Sequence, residues 1–195
     1  FRQHTEYMHV MNVEDVASLN DAIESKRIRE VMLVAEALHE QRIAEIARAI
    51  ADRRDRLRMV LIAGPSSSGK TTFSKRLAVQ LLAHGLRPIA IGLDDYFVDR
   101  ELTPRDEDGE LDFEAFDAVD HALFSKQLRE LTDGREVTLP HYDFKTGKRV
   151  TGSTVRISRD HIIIAEGIHA LNPNLVPDVP PERVYRIYVS ALTQL

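Results

Sequence analysis

One eight-residue loop limits the folds open to this chain more than any other segment: Gly64-Pro65-Ser66-Ser67-Ser68-Gly69-Lys70-Thr71. The loop fits the pattern G-x-x-x-x-G-K-[ST] at every fixed position. An apolar run of strand length, residues 59–63, leads into it, and helical periodicity follows from residue 70 to residue 84, before Gly85. A strand, a glycine-rich loop and a helix in this order predict a phosphate-binding loop.

The fixed residues of this loop each have a chemical task. Glycines let the backbone curl so that successive N–H groups point at phosphate oxygens, and the helix that follows adds its positive N-terminal dipole. The Lys70 ammonium reaches the β- and γ-phosphates, and the Thr71 hydroxyl is available to Mg²⁺. The loop predicts nucleotide binding, and by itself it does not separate a kinase from a GTPase or a motor. The predicted nucleotide-binding residues are Gly64, Pro65, Ser66, Ser67, Ser68, Gly69, Lys70, Thr71 and Thr72.

The rest of the chain after this loop alternates between strand and helix patterns. We predict strands over residues 88–92, 162–165 and 184–189 and a helix over residues 116–131. Such alternation predicts an α/β fold, with a parallel sheet flanked by helices as in P-loop NTPases. Residues 137–139 and 150–157 flank a polar turn and predict a small β hairpin or flap at the edge of the sheet.

The N-terminal region differs from the rest of the chain in amino-acid composition. It contains no Gly or Pro before Gly64, whereas all 9 Gly and 8 Pro come from that residue onward. Ser18-Leu19-Asn20-Asp21 predicts a capping box that opens a short helix. Apolar residues between Ile28 and Ile50 recur at helical spacing and predict one long amphipathic helix, or two helices with a break near residues 39–41. We therefore predict a helical extension over residues 1–58 and a nucleotide-binding domain over residues 59–195.

Acidic side chains follow two of the predicted strands. Asp94 and Asp95 come after one strand, and Glu166 ends another. Ligands of open α/β sheets bind at the carboxyl ends of the strands. A carboxylate there can hold Mg²⁺, directly or through water, or take the proton of an attacking hydroxyl. Thr71, Asp94 and Glu166 are the predicted metal-associated residues.

Composition excludes several classes of protein. The 195-residue chain has a net charge of −5, which disfavours a dedicated nucleic-acid binder. The absence of Cys excludes disulfides and cysteine-based metal sites and is typical of a cytoplasmic protein. No apolar run reaches the roughly 18 residues of a membrane helix, so no membrane partner is expected. Because the chain begins at Phe1, we expect a longer polypeptide.

Taken together, these residues resemble the uridine kinase/phosphoribulokinase family of P-loop kinases over about residues 58–190. The phosphate loop is shared with many families, and the more specific segments lie beyond it. These segments are Leu93-Asp94-Asp95-Tyr96-Phe97, Asp112-Phe113-Glu114 followed by Asp117, Pro140 to Phe144, and Glu166-Gly167-Ile168. The N-terminal region is similar to the stretch before the kinase domain in a bacterial subgroup of uridine kinase-like proteins.

The resemblance implies ATP and Mg²⁺ as cofactors and a role for each matching residue. Asp94 stands where the family has its catalytic base, and Lys70 stabilises the transferring phosphoryl group. The implied acceptor-binding residues are aromatic apart from one acid, and they are Tyr96, Phe97, Phe113, Glu114, Tyr142 and Phe144. In this family an arginine-rich lid follows the last predicted strand, so we expect residues 59–195 to lack that lid and to be inactive alone.

The resemblance predicts ATP-dependent phosphoryl transfer to a hydroxyl of a small molecule, as in uridine or nucleoside kinases, with a homo-oligomer as a further expectation. Two departures keep other acceptors open. Gly147 stands where uridine–cytidine kinases carry a pyrimidine-reading His, and Glu114 stands where they have Asp. The alternatives are a kinase of a polyol or sugar and a nucleotide-binding regulatory module without transferase activity.

Overall fold

The computed structural model of the chain describes residues 2–177 and 179–190. The chain divides into two compact units, one of residues up to 45 and one of residues 46–190. The helices are α1 (Arg2–Val10), α2 (Val16–Glu24), α3 (Ile28–Ala51), α4 (Lys70–Ala83) and α5 (His121–Thr132). The strands are β1 (Met59–Ala63), β2 (Arg87–Gly92), β3 (Glu136–Asp143), β4 (Lys148–Arg156), β5 (His161–Glu166) and β6 (Val184–Tyr188).

The first unit is helical, as the sequence predicts, but its capping box begins elsewhere. Asp15, not Ser18, is the residue that caps α2. The Ser18 N–H donates to Asp15 Oδ1 at 2.8 Å, and the Asp15 N–H donates to Ser18 Oγ at 3.1 Å. The prediction was wrong by one turn because both residues are good caps. In the same unit the Tyr7 hydroxyl donates to the Val31 carbonyl at 3.1 Å.

Helix α3 is continuous over its 24 residues, so the alternative of a break near residues 39–41 is excluded. Its residues 28–45 belong to the first unit and its last turns to the second. In the described part of the chain, no helix has both the length and the apolar character needed to cross a membrane.

The second unit is built on a four-stranded parallel sheet in the order β2-β5-β1-β6. Every residue of β1 is buried, which matches its continuous apolar run. In the register of the sheet, Glu166 pairs with Ile62 on one side and with Gly92 on the other. The end of β5 therefore lies level with the ends of its neighbours, and the loops after β1, β2 and β5 leave the sheet from one edge.

Helix α5 starts later than predicted. The segment Phe116–Ala118 forms only a short 3₁₀ turn, and Val119 makes an isolated bridge with Phe97. Asp120 then caps α5 by accepting a hydrogen bond from the Leu123 N–H at 3.0 Å. The predicted helix over residues 116–131 was wrong in its first turn because the chain at Val119 is extended.

The predicted hairpin is confirmed as a separate antiparallel pair of strands, β3 and β4. It is attached to the segment that follows β2. The Arg149 N–H donates to Asp99 Oδ1 at 3.0 Å, and the Arg149 guanidinium donates to Asp120 Oδ2 at 2.8 Å. Gln127 accepts a hydrogen bond from the Tyr96 hydroxyl at 2.7 Å and donates one to the Thr138 carbonyl at 2.9 Å.

Replacing Asp120 with Ala is expected to destabilise the second unit by about 1–2 kcal/mol, because it removes a helix cap and a charged hydrogen-bond partner. Burial alone would raise the pKa of Asp120, but the Leu123 N–H and the Arg149 guanidinium hold that pKa below its ordinary value. Its contribution is therefore present above the ordinary aspartate pKa and is lost as the pH falls through the lowered one. Denaturant melts at neutral and at acid pH give the free energies of unfolding that measure this contribution. The control Asp120→Asn, which keeps the cap oxygen, should lose less.

Candidate active site

The loop between β1 and α4 is shaped by close approach and by backbone strain. A Cβ on Gly64 would lie 2.1 Å from the Val189 carbonyl oxygen and 2.8 Å from Ser68 Oγ, so only glycine fits there. Ser67 has a φ of 58°, a left-handed conformation that is uncommon for a residue with a side chain. Ser68 Oγ is buried without a hydrogen-bond partner. A strained loop with an unsatisfied hydroxyl is typical of a ligand site.

The Lys70 side chain folds back over this loop. Its ammonium donates to the Gly64 carbonyl at 3.0 Å and to the Pro65 carbonyl at 2.8 Å. Lys70 starts α4, so its charge lies at the positive end of the helix, where anions bind. A phosphate group bound at this helix N-terminus would compete with the two carbonyls for the Lys70 ammonium.

Thr71 and Glu166 meet at the end of β5. The Thr71 hydroxyl donates to Glu166 Oε1 at 2.9 Å, and Glu166 Oε2 is buried without a hydrogen-bond partner. An orphaned carboxylate oxygen beside a hydroxyl suits a hard cation such as Mg²⁺, which takes few protein ligands and completes its shell with water and phosphate. Among the described residues there is no cluster of three or more His, Cys, Asp or Glu that could hold a metal alone.

The two acids after β2 point in different directions. Asp94 lines the cleft beside the loop, together with Lys70 and Glu166. The residue as a whole is exposed, yet desolvation by the surrounding protein raises the pKa of its carboxyl. The attraction of Lys70 opposes this shift, and the repulsion of Asp95 adds to it. Asp95 instead faces the hairpin, where its Oδ1 lies 2.8 Å from His141 Nδ1. Asp94 is therefore the better candidate for the base.

The cleft brings together most of the predicted site residues. Its lining includes Ser66, Ser67, Lys70, Thr71, Gly92, Asp94, Phe97, Phe113, Glu114, Glu166, Gly167 and Ile168. Phe97 and Phe113 form an aromatic wall, with ring centres 5.6 Å apart at an interplanar angle of 70°. The cleft therefore combines the Lys70 cation, the carboxylates of Asp94, Glu114 and Glu166, and an apolar aromatic wall.

Three residues predicted to bind the acceptor lie outside this lining. Tyr96 is buried in the core, where its hydroxyl is bonded to Gln127 and its ring packs edge-on against Phe124. Its position argues for a structural role. Tyr142 is also buried, but its hydroxyl has no partner, and its ring packs against Phe97. Phe144 is 58% exposed and packs edge-on on Tyr142.

The Phosphoribulokinase / Uridine kinase family model matches residues 59–192, which is more than half of the chain. The chain belongs to this family. Among curated relatives, the inorganic pyrophosphatase TTM2 of Arabidopsis thaliana is 31% identical over 128 residues, covering 66% of this chain and 18% of that protein. A uridine kinase of Ligilactobacillus salivarius is 29% identical over 136 residues, covering 70% of this chain and 62% of that protein. The chain thus spans less than two thirds of either relative.

A solved structure extends the likeness to the fold. The chain resembles a protein described as a possible uridine kinase from Bacillus stearothermophilus, with a TM-score of 0.62 and 29% sequence identity over 76% of this chain and 79% of that one. The parallel sheet flanked by helices is therefore that of P-loop kinases, as the sequence predicts.

In this family member, sequence reasoning left two histidines near the site without a function. His169 Nε2 lies 2.7 Å from the Glu114 carbonyl oxygen and ties the acceptor side of the cleft to the chain after β5. His141 holds Asp95, as described above. The position of His169 three residues after Glu166 was a signal for the first contact, but no local pattern links His141 to Asp95, which are 46 residues apart.

Proposed function

We propose that this protein transfers the γ-phosphoryl group of ATP to a hydroxyl of a small molecule. The observation that carries the proposal is the convergence of Lys70, the Thr71–Glu166 pair and Asp94 on one cleft with an aromatic wall. Membership of a family that includes kinases supports the reaction class.

The proposed roles follow from the chemistry of each group. Lys70 exchanges its two carbonyl bonds for bonds to the β- and γ-phosphates and neutralises charge there. Thr71 and Glu166 would hold Mg²⁺, which when bound would neutralise charge on the phosphates. Asp94 takes the proton of the acceptor hydroxyl. The oxygen of that hydroxyl forms a bond to the γ-phosphorus, and the bond from the γ-phosphorus to the bridging oxygen breaks, which releases ADP. Positioning and electrostatics supply most of the rate.

The acceptor is proposed to be a neutral polyhydroxyl compound, either a nucleoside or a sugar or polyol. Gly147 favours a sugar or polyol over a pyrimidine nucleoside. A Cβ there would lie 2.7–2.8 Å from atoms of the Arg100 side chain, and the residue has a φ of 69°. The pyrimidine-reading side chain that the family resemblance would place here is therefore absent, and adding one would strain the backbone and displace Arg100. The Arg100 guanidinium itself is bonded to the Phe144 carbonyl at 2.6 Å.

A nucleotide-binding regulatory module is the alternative, and acceptor-dependent ADP release separates the two. The full-length protein, with the arginine-rich lid that the family resemblance implies, would be incubated with Mg·ATP alone and with uridine, cytidine, ribose, fructose or glycerol. A kinase releases ADP faster with at least one of these acceptors. Tight ATP binding with no acceptor-dependent release from this panel would favour the regulatory module.

The pH dependence of this turnover is expected to follow Asp94. A base must be ionised to take a proton, and desolvation raises the pKa of Asp94. The acid limb of the kcat profile should therefore lie at a higher pH than an ordinary aspartate would give. Asp95→Asn should move that limb to lower pH, because it removes a repelling charge. An acid limb that does not move in this variant would contradict the electrostatic coupling of the two acids.

A further inference from the structure

The carboxylate of Asp95 is turned out of the cleft and bonded to the hairpin. Its Oδ1 lies 2.8 Å from His141 Nδ1 and accepts the Tyr142 N–H at 3.3 Å. Both partners are on β3, and Asp95 directly follows the proposed base. The hairpin is thus attached to the catalytic segment one residue from the reacting carboxylate.

The segment that carries Asp94 is a short element held by its neighbours. It is a single 3₁₀ turn, Leu93–Tyr96, and the Phe97 N–H after it makes a long hydrogen bond of 3.4 Å to the Asp94 carbonyl. Turns of this kind have poor hydrogen-bond geometry and little stability of their own. Leu93 and Tyr96 are buried and fix one side of the turn. On the other side, the described contacts of the Asp95 carboxylate are those with β3.

The hairpin has other attachments. On the buried side of the turn, Gln127 links the Tyr96 hydroxyl to the Thr138 carbonyl, and the Tyr142 ring packs on Phe97. Arg100 holds the tip through the Phe144 and Gly147 carbonyls, and Asp99 accepts from the Arg149 N–H. Asp99 and Arg100 lie five and six residues beyond Asp94, so these two contacts act on the hairpin more than on the turn. The bond between Asp95 and His141 is made by the residue next to Asp94, on the side of the turn away from Gln127 or any other described partner of Tyr96.

We propose that Asp95 and His141 are positioning residues for the transfer reaction: their hydrogen bond fixes the 3₁₀ turn against β3 and so aims the Asp94 carboxylate at the acceptor hydroxyl. This inference rests on the proposed function. The side chains of Asp95 and His141 are 39% and 62% exposed. Exposed pairs contribute little to overall stability, so variants are expected to fold. Misplacement of a reacting group by a fraction of an ångström is nevertheless costly to the rate.

The test uses two pairs of variants in the full-length protein, with the lid that the family resemblance implies. Asp95→Ala and His141→Leu remove the bond, whereas Asp95→Asn keeps an acceptor oxygen and His141→Asn keeps a donor close to the position of Nδ1. ADP release from Mg·ATP is measured at neutral pH with uridine or fructose as the acceptor probe. Hydrogen exchange of the β3 amides is measured on the same samples.

The bond-removing variants are expected to lower kcat on the order of tenfold, with the KM for ATP within about twofold of the parent value. They should also speed exchange at the Tyr142 amide. The two Asn variants should restore kcat to within about threefold of the parent. This rescue separates positioning by a hydrogen bond from an effect of charge.

Two results would overturn the inference. One is an unchanged kcat in both Asp95→Ala and His141→Leu, and the other is a loss in Asp95→Asn as large as in Asp95→Ala. If the parent protein bound ATP but released no ADP with either probe, the proposed transfer would fail for these acceptors. Hydrogen exchange at the Tyr142 amide would then test whether Asp95 fixes the turn against β3. Equal protection of that amide in the parent and in Asp95→Ala would overturn the inference.

Discussion

Replacing Asp94 with Asn is expected to lower turnover by about 10²–10⁴-fold, the usual contribution of a general base. Asn has nearly the same shape but cannot accept the proton of the acceptor hydroxyl. Affinity for ATP should stay close to that of the parent, because the phosphates are held by the loop and by Lys70. Steady-state ADP release with the best acceptor and titration calorimetry with Mg·ATP measure the two effects separately.

Asp95→Asn is the matched control for this experiment. It removes the charge of the adjacent carboxylate, which faces the hairpin, by a substitution of the same size. The Asn side chain keeps an oxygen that can accept the hydrogen bond from His141. It should therefore retain most of the turnover. If Asp95→Asn were inactive and Asp94→Asn active, the assignment of the base would be wrong by one residue.

The second large effect is expected at Lys70. Charge-assisted hydrogen bonds contribute about 1.5–3 kcal/mol, so Lys70→Ala should weaken ATP binding by roughly 10- to 100-fold. The loss is moderated because the ammonium must first leave the Gly64 and Pro65 carbonyls. Titration calorimetry with ATP and with ADP should show a larger loss for ATP, which carries the γ-phosphate.

Lys75 provides the control, because it lies exposed on the same helix, α4, and away from the cleft lining. Lys75→Ala removes the same charge from the protein but should leave ATP affinity within about twofold of the parent, since charges at the surface are screened. Equal losses in the two variants would point to net charge rather than to a phosphate contact, and unchanged affinity in Lys70→Ala would contradict the assignment.

The sheet and the phosphate loop were predictable because their signals are local. The buried run Met59–Ala63 and the fixed residues from Gly64 to Thr71 specify the strand, loop and helix start together. The carboxyl ends of parallel strands share an edge, so Asp94 and Glu166 could be expected near the loop before any coordinates were known. The family resemblance was also carried by short contiguous segments, and the family match agrees with it.

What the sequence could not provide depends on contacts between distant residues. The choice between Asp94 and Asp95 rests on His141, and the burial of Tyr96 rests on Gln127, 31 residues away. Family position alone placed Tyr96 among the acceptor-binding residues, whereas its hydroxyl is bonded in the core. The first turn of the predicted helix over residues 116–131 is likewise absent, because Val119 forms a β bridge with Phe97.

The central claim is that ATP loses its γ-phosphoryl group to an acceptor hydroxyl in this cleft. Transfer of ³²P from [γ-³²P]ATP into an isolated acceptor product tests it directly, with orthophosphate, pyrophosphate and ADP counted in the same reaction. We expect one labelled acceptor phosphate for each ADP, and loss of that label in Asp94→Asn. Label found only in orthophosphate or pyrophosphate, whatever the acceptor, would contradict it.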